Sequence, residues 1–116
     1  MQFKLFQIKL SNQEVDTINA QGHGSVPKHK MKLDMSMKFK GDISSIAKEA
    51  LDNGFYTHVS NITAENLNHV FEVGNIGPEE NIERLAPMHS VSVADIIVEP
   101  NGTKHVVASM GFQEIS

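Results

Sequence analysis

Residues 93–109 read VADIIVEPNGTKHVVAS, and this stretch decides the fold class. Val93 to Val98 is rich in β-branched residues, Lys104 to Ser109 forms a second such run, and Pro100-Asn101-Gly102 lies between them. Asn-Gly favours the positive φ angles of a tight reverse turn, so the pattern predicts a β-hairpin. Gly111-Phe112 is expected to break the return strand, and Ile115 then offers an apolar end to the core.

Working back from the hairpin, Pro78-Glu79-Glu80 suits a first helical turn, and Ile82 with Leu85 predicts a short helix stopped before Pro87. Thr63 and Asn66 open another helix, whose apolar stripe of Leu67, Val70 and Phe71 runs to Gly74. Phe55 to Ile62 (FYTHVSNI) has a strand's composition. Asp42 as N-cap, then Ile43, Ile46, Ala47 and Ala50-Leu51 at helical spacing, predicts a helix ended by Gly54.

Residues 31–39 pull in two directions. Met31, Leu33, Met35, Met37 and Phe39 are apolar at every second place, which is a strand's period, whereas Met, Leu and Lys are good helix formers and none of the nine is β-branched. The period predicts a strand; a helix here would mean that propensity overrides it. Gly22, Gly24 and Pro27 mark a loop. Ser11 with Glu14 is a capping-box pattern, placing a short helix over 12–19 with Val15 and Ile18 inward, and residues 3–10 alternate as a strand.

Together these elements predict a single α+β domain over residues 1–116, with a mixed or antiparallel sheet of four or five strands and two or three helices on one face. A chain of 116 residues can bury a core unaided. It contains no cysteine, which excludes disulfides, thiolate metal sites and a cysteine nucleophile. The first residues alternate and reach charge by Glu14, unlike a secretory signal, and no apolar run approaches the roughly 18 residues of a membrane span. The expectation is a cytoplasmic protein.

The net charge of −4 argues against general attraction to nucleic-acid phosphates. Yet Lys28, Lys30, Lys32, Lys38 and Lys40 place half of the ten Lys and Arg residues within thirteen positions. The plain account is a solvated face; the alternative is a basic surface for nucleic acid.

Six histidines invite a search for metal or base chemistry, but no HxH, HxxxH or HExxH pattern fixes two of them on one face. His23 and His29 stand six apart across the glycine loop. His58 and His105 fall in expected strands and could meet across a sheet with His89 nearby, a three-histidine reading weighed against ordinary structural histidines. Ser90 adjoins His89 without a GxSxG elbow, and Glu79-Glu80 are accounted for by the helix dipole. Gly22-His23-Gly24 and Gly74-Asn75-Ile76-Gly77 each follow a helix, not the strand that precedes a phosphate loop. With no Trp and one Tyr, a base-stacking platform is poorly supported. These features predict neither an enzyme nor a cofactor or metal.

From about residue 55 to 115 the chain resembles the YodL-like domain family. The resemblance is carried by Tyr56-Thr57-His58-Val59, by Leu67 with Val70 to Asn75 (VFEVGN), by His89 to Ile97 (HSVSVADII), and by Val106 to Phe112 (VVASMGF). The family's paired SLSVGD and DSxGF motifs correspond to SVSVAD and ASMGF here. Ala94 replaces the usual glycine or serine before the aspartate, and His105-Val106 stand where the family has paired tyrosines. The N-terminal half is similar to small proteins of bacteriophages. The resemblance implies a phage or mobile-element accessory protein with no general activity assigned. His89, Ser90, Ser92, Asp95, Gly111 and Phe112 are then the candidates for partner contact, although small polar groups such as Ser92 and Asp95 could equally anchor a turn.

The leading expectation is a non-catalytic module that binds a host protein. A regulator using the lysine face on nucleic acid, and a protein that sequesters a small ligand such as a cyclic nucleotide, are the alternatives. Self-association through an edge strand stays open.

Overall fold

The structure is a computed structural model that describes residues 1–37 and 41–115. Strand β1 (Gln2–Ile8) is followed by helices α1 (Asn12–Gln21), α2 (Pro27–Met37) and α3 (Ser44–Asp52), strand β2 (Tyr56–Thr63), helix α4 (Leu67–Asn75), and strands β3 (Ile82–Arg84), β4 (Ile96–Val98), β5 (Lys104–Ala108) and β6 (Gly111–Ile115). The six strands form one sheet in the order β3-β2-β1-β4-β5-β6, and every neighbouring pair is antiparallel. The α+β class holds; the sheet has six strands instead of four or five, and the described residues contain four α-helices.

Those helices cover both faces, not one. Adjacent strand residues point to opposite sides, and here they enter different cores: Ile97 and Val107 pack with Phe3, Leu5, Val59 and α4's Val70 and Val73. Ile96 and Val106 pack with Ile8, α2's Met35 and the Ile43 to Ala47 region of α3. Between Leu5 and Phe6 the register shifts, so that Leu5 faces Ser60 and Phe6 faces His58, leaving Val59 as the extra residue of a bulge in β2.

The capping signals act as the residues predict. Ser11 accepts from the Glu14 N–H at 3.1 Å while the Glu14 carboxylate accepts from the Ser11 N–H at 2.8 Å, and Asn66 accepts from the His69 N–H at 2.8 Å. Asp42 acts one residue before the cap position of α3, accepting from the Ser44 N–H at 2.8 Å. On α1 only Ile18 turns inward; Val15 is exposed.

Further expectations are corrected. Residues 31–37 are helical, because the helix formers there outweigh the alternation: a helix puts Met31 and Met35 on one side and Leu33 and Met37 on the other, and only Met35 is fully buried while Met37 is exposed. Lys38 and Phe39 lie outside the described residues. Pro78-Glu79-Glu80 starts only a 3-10 turn, Glu79–Asn81, after which Ile82–Arg84 extends as β3 against residues 60–62 of β2, with Ile82 packed on the core. The return strand ends at Ala108, as expected, but Gly111, at φ +85°, turns the chain into a further strand, β6, which pairs with β5 from Ala108 to Lys104.

The hairpin is present with a different turn. The Gly102 N–H donates to the Glu99 carbonyl at 2.9 Å, the Glu99 N–H to the Thr103 carbonyl at 2.9 Å, and Gly102 alone of the Asn-Gly pair has a positive φ, +92°. This is a three-residue loop that needs one left-handed glycine.

Candidate functional site

Gln7 occupies the strand phase of Phe3 and Leu5, so its side chain points into a core and is fully buried. A buried amide must find partners. Gln7 finds them in the segment 89–95: its Nε2 donates to the His89 carbonyl at 2.9 Å and to Asp95 Oδ2 at 3.0 Å, and its Oε1 accepts from the His89 N–H at 3.2 Å. A single side chain from β1 thus pins both ends of the SVSVAD loop.

The loop also closes on itself. Asp95 Oδ2 accepts from the Ser92 N–H at 2.9 Å, while the Asp95 N–H donates to the Ser92 carbonyl at 3.1 Å. The Val107 N–H donates to the Asp95 carbonyl at 2.8 Å and the Ala94 N–H to the Val107 carbonyl at 2.9 Å, carrying the sheet ladder back into the turn. Ala94 has φ +82°, a backbone region that suits glycine. Its carbonyl accepts a 2.6 Å hydrogen bond from the Tyr56 hydroxyl, whose pKa is raised by burial and by the nearby Asp95.

Burial pushes the Asp95 carboxyl up to about 7, against the downward pull of the Ser92 N–H, the Gln7 amide and the Lys32 charge. Its second oxygen, Oδ1, has no hydrogen-bond partner among the described residues. Asp95 and Ser92 therefore hold the loop together, and Asp95 is too deeply buried to meet a partner protein.

His89 and Ser90 are exposed. Both amide hydrogens of Gln7 are spent on oxygens, so the 3.2 Å approach of its Nε2 to His89 Nδ1 is not a further donation. Nδ1 lies 2.7 Å from the Ser90 carbonyl, which can only accept. Nδ1 therefore carries a proton and donates it to that carbonyl. The ring borders a polar pocket of about 160 Å³ formed with the last turn of α4, Gly77, Arg84 and Ser90; Arg84 there is paired with Glu79.

Gly111 and Phe112 line a different concavity, a groove of about 180 Å³ between α4 and the β5–β6 turn, together with Asn68, Phe71, Val107 and Ser109. Phe71 is 41% exposed, and Met110, in the turn beside the groove, is 75% exposed. The six motif candidates are therefore split: two on the polar pocket, two in the loop's internal bonding and two on the groove beside α4.

Among the described residues, Lys28, Lys30 and Lys32 do not share one face. Residues 28 and 32 lie four apart on α2, and 30 lies on its other side. Lys28 turns in to Glu14 at 3.0 Å and to the Lys9 carbonyl at 2.7 Å, and Lys30 approaches Asp34 at 3.7 Å. Lys38 and Lys40 lie outside the described residues. The histidines of the sheet are also apart, because β1 and β4 separate β2 from β5. His58 stacks on Phe6 with ring centroids 4.8 Å apart and bonds Asn61 at 2.9 Å, while His105 bonds Glu99 at 2.7 Å. Among the described residues no group of three His, Asp or Glu side chains could hold a metal ion, and no helix is long and apolar enough to cross a membrane.

Sequence reasoning missed Gln7 and Tyr56. Gln7 carried a signal, a polar residue in phase with Phe3 and Leu5; the partner of Tyr56 is set by tertiary contact alone. No family model matches the chain, and neither does any curated protein or solved structure.

Proposed function

We propose that this chain is a small accessory protein of phage or mobile-element type, YodL-like over residues 55–115, which binds a host protein in the host cytoplasm without catalysing a reaction. The observation that carries this reading is the groove between α4 and the β5–β6 turn, where the motif residues Gly111 and Phe112 lie beside the exposed Phe71 and Met110. Exposed aromatic and methionine side chains around a concavity are the usual anchors of protein interfaces. The two concavities described, of about 160 and 180 Å³, each fall below the roughly 300 Å³ at which small-molecule sites begin, so neither supports ligand sequestration. The division of Lys28 and Lys30 between two sides of α2 weighs against the nucleic-acid reading.

The test is capture from host lysate at two salt concentrations, comparing wild type with Met110→Glu and Phe71→Glu. A host protein retained at both salts by wild type and lost by the variants is expected. Retention of the same protein by both variants would remove the groove from the argument, and nucleic acid held only at low salt would favour the lysines.

A further inference from the structure

His23 belongs to a 3-10 turn, His23–Ser25, and His29 to the first turn of α2. Six residues separate them in sequence, yet a hydrogen bond of 3.1 Å joins His23 Nδ1 and His29 Nε2, with ring centroids 5.3 Å apart and planes tilted by 32°. Gly22, at φ +96°, reverses the chain at the end of α1 and brings the turn over α2.

We propose that His23 and His29 form a bidentate site for a divalent first-row transition ion of the zinc, nickel or copper type, the classes that imidazole suits. Two bonds of about 2.0–2.1 Å meeting at a metal place their nitrogens about 2.9 Å apart at a right angle and about 3.3 Å apart at the tetrahedral angle. The observed 3.1 Å lies between these limits. A metal binds the neutral imidazole, displacing the proton that the two hydrogen-bonded rings share. No third His, Asp or Glu joins the pair among the described residues, so water or an exogenous ligand completes the shell. Lys32 is the nearby charge that opposes a cation, while Lys28 and Lys30 are engaged by Glu14 and Asp34. Affinity should therefore be modest. The ion would fasten the 3-10 turn to α2, a role independent of the groove on α4.

The experiment uses the full chain without a histidine tag. Zn²⁺ is titrated calorimetrically near pH 7.5, and trace Ni²⁺ is added while the six histidine ring resonances are followed by NMR. One equivalent of Zn²⁺ is expected, with His23 and His29 broadened first by Ni²⁺. His23→Gln and His29→Gln should each lose at least about tenfold in affinity, since loss of even an outer-shell partner costs that much. His58→Gln should bind as wild type, and Lys32→Gln should bind more tightly. Absence of Zn²⁺ binding, unchanged affinity in either histidine variant, or broadening centred on other histidines would overturn the proposal.

Discussion

Gly74 of α4 lies so close to Val91 that a Cβ built on it would fall 2.2 Å from Val91 Cγ2 and 3.1 Å from Val91 Cβ. The glycine lets α4 settle onto the SVSVAD loop, and Val91, 1% exposed, fills the space that a side chain would take. Gly74→Ala should gain up to about 1 kcal/mol of helix propensity and lose about 1–3 kcal/mol to overpacking. Net destabilisation is expected in urea unfolding. Pairing it with Val91→Ala, which removes the clashing methyls, should recover part of the loss as a coupling energy; strict additivity of the two substitutions would show that the contact does not limit packing.

At Ala94 two effects oppose one another. Relief of the left-handed backbone by glycine is worth about 1–2 kcal/mol, and loss of the buried methyl costs about 0.8 kcal/mol. Ala94→Gly should therefore be slightly stabilising, by less than about 1 kcal/mol after the entropy of glycine is included. Ala94→Val should be strongly destabilising, since a β-branched residue is least tolerant of φ +82°. Equal Tm values for the two variants would contradict the strained backbone.

The contrast between the loop and α2 shows what local sequence can carry. Caps at Ser11 and Asn66 depend on residues three apart, and they were legible. The hairpin was legible because Gly102 and two β-branched runs are local signals. In α2 the alternation of Met31 to Met37 misled, because burial there is decided by which side meets the β1–β6 core, and only Met35 reaches it fully. β3 is three residues long, too short to show a period, and exists because residues 60–62 lie open beside it. Ser92 and Asp95 were legible as small polar groups able to anchor a turn, but the organiser of that turn, Gln7, lies 82 residues from His89 and 88 from Asp95. No spacing rule reaches that far.

Asp95 should make stability depend on pH in an unusual direction. Its carboxyl titrates near 7 in the folded chain and near about 3.9 when unfolded. Between those values the native state holds a proton that the unfolded state has lost, so stability falls as pH rises from about 4 to 7 and levels off above. The total is on the order of 4 kcal/mol. Glu14, held low by the Ser11 N–H and then by Lys28, works in the opposite sense and only at more acid pH. Asp95→Asn keeps an oxygen for Ser92 and Gln7 and cannot ionise, so its denaturation midpoints should lack this decline between pH 4 and 7. A variant curve parallel to wild type would assign the pH dependence elsewhere.

Gln7 and His89 should separate folding from recognition. Gln7→Ala leaves the partly buried His89 N–H and carbonyl and the buried Asp95 Oδ2 each short of one partner, and each such loss costs about 1 kcal/mol or more. A drop of about 3 kcal/mol or more is expected from denaturant unfolding. His89→Ala keeps every backbone group and removes only an exposed ring with one bond to the Ser90 carbonyl, so it should change stability by less than about 1 kcal/mol. If His89→Ala also abolishes capture of a partner while its unfolding midpoint stays near wild type, the polar pocket joins the groove in the binding surface. If capture persists, His89 marks only the outer end of the clamp that Gln7 closes.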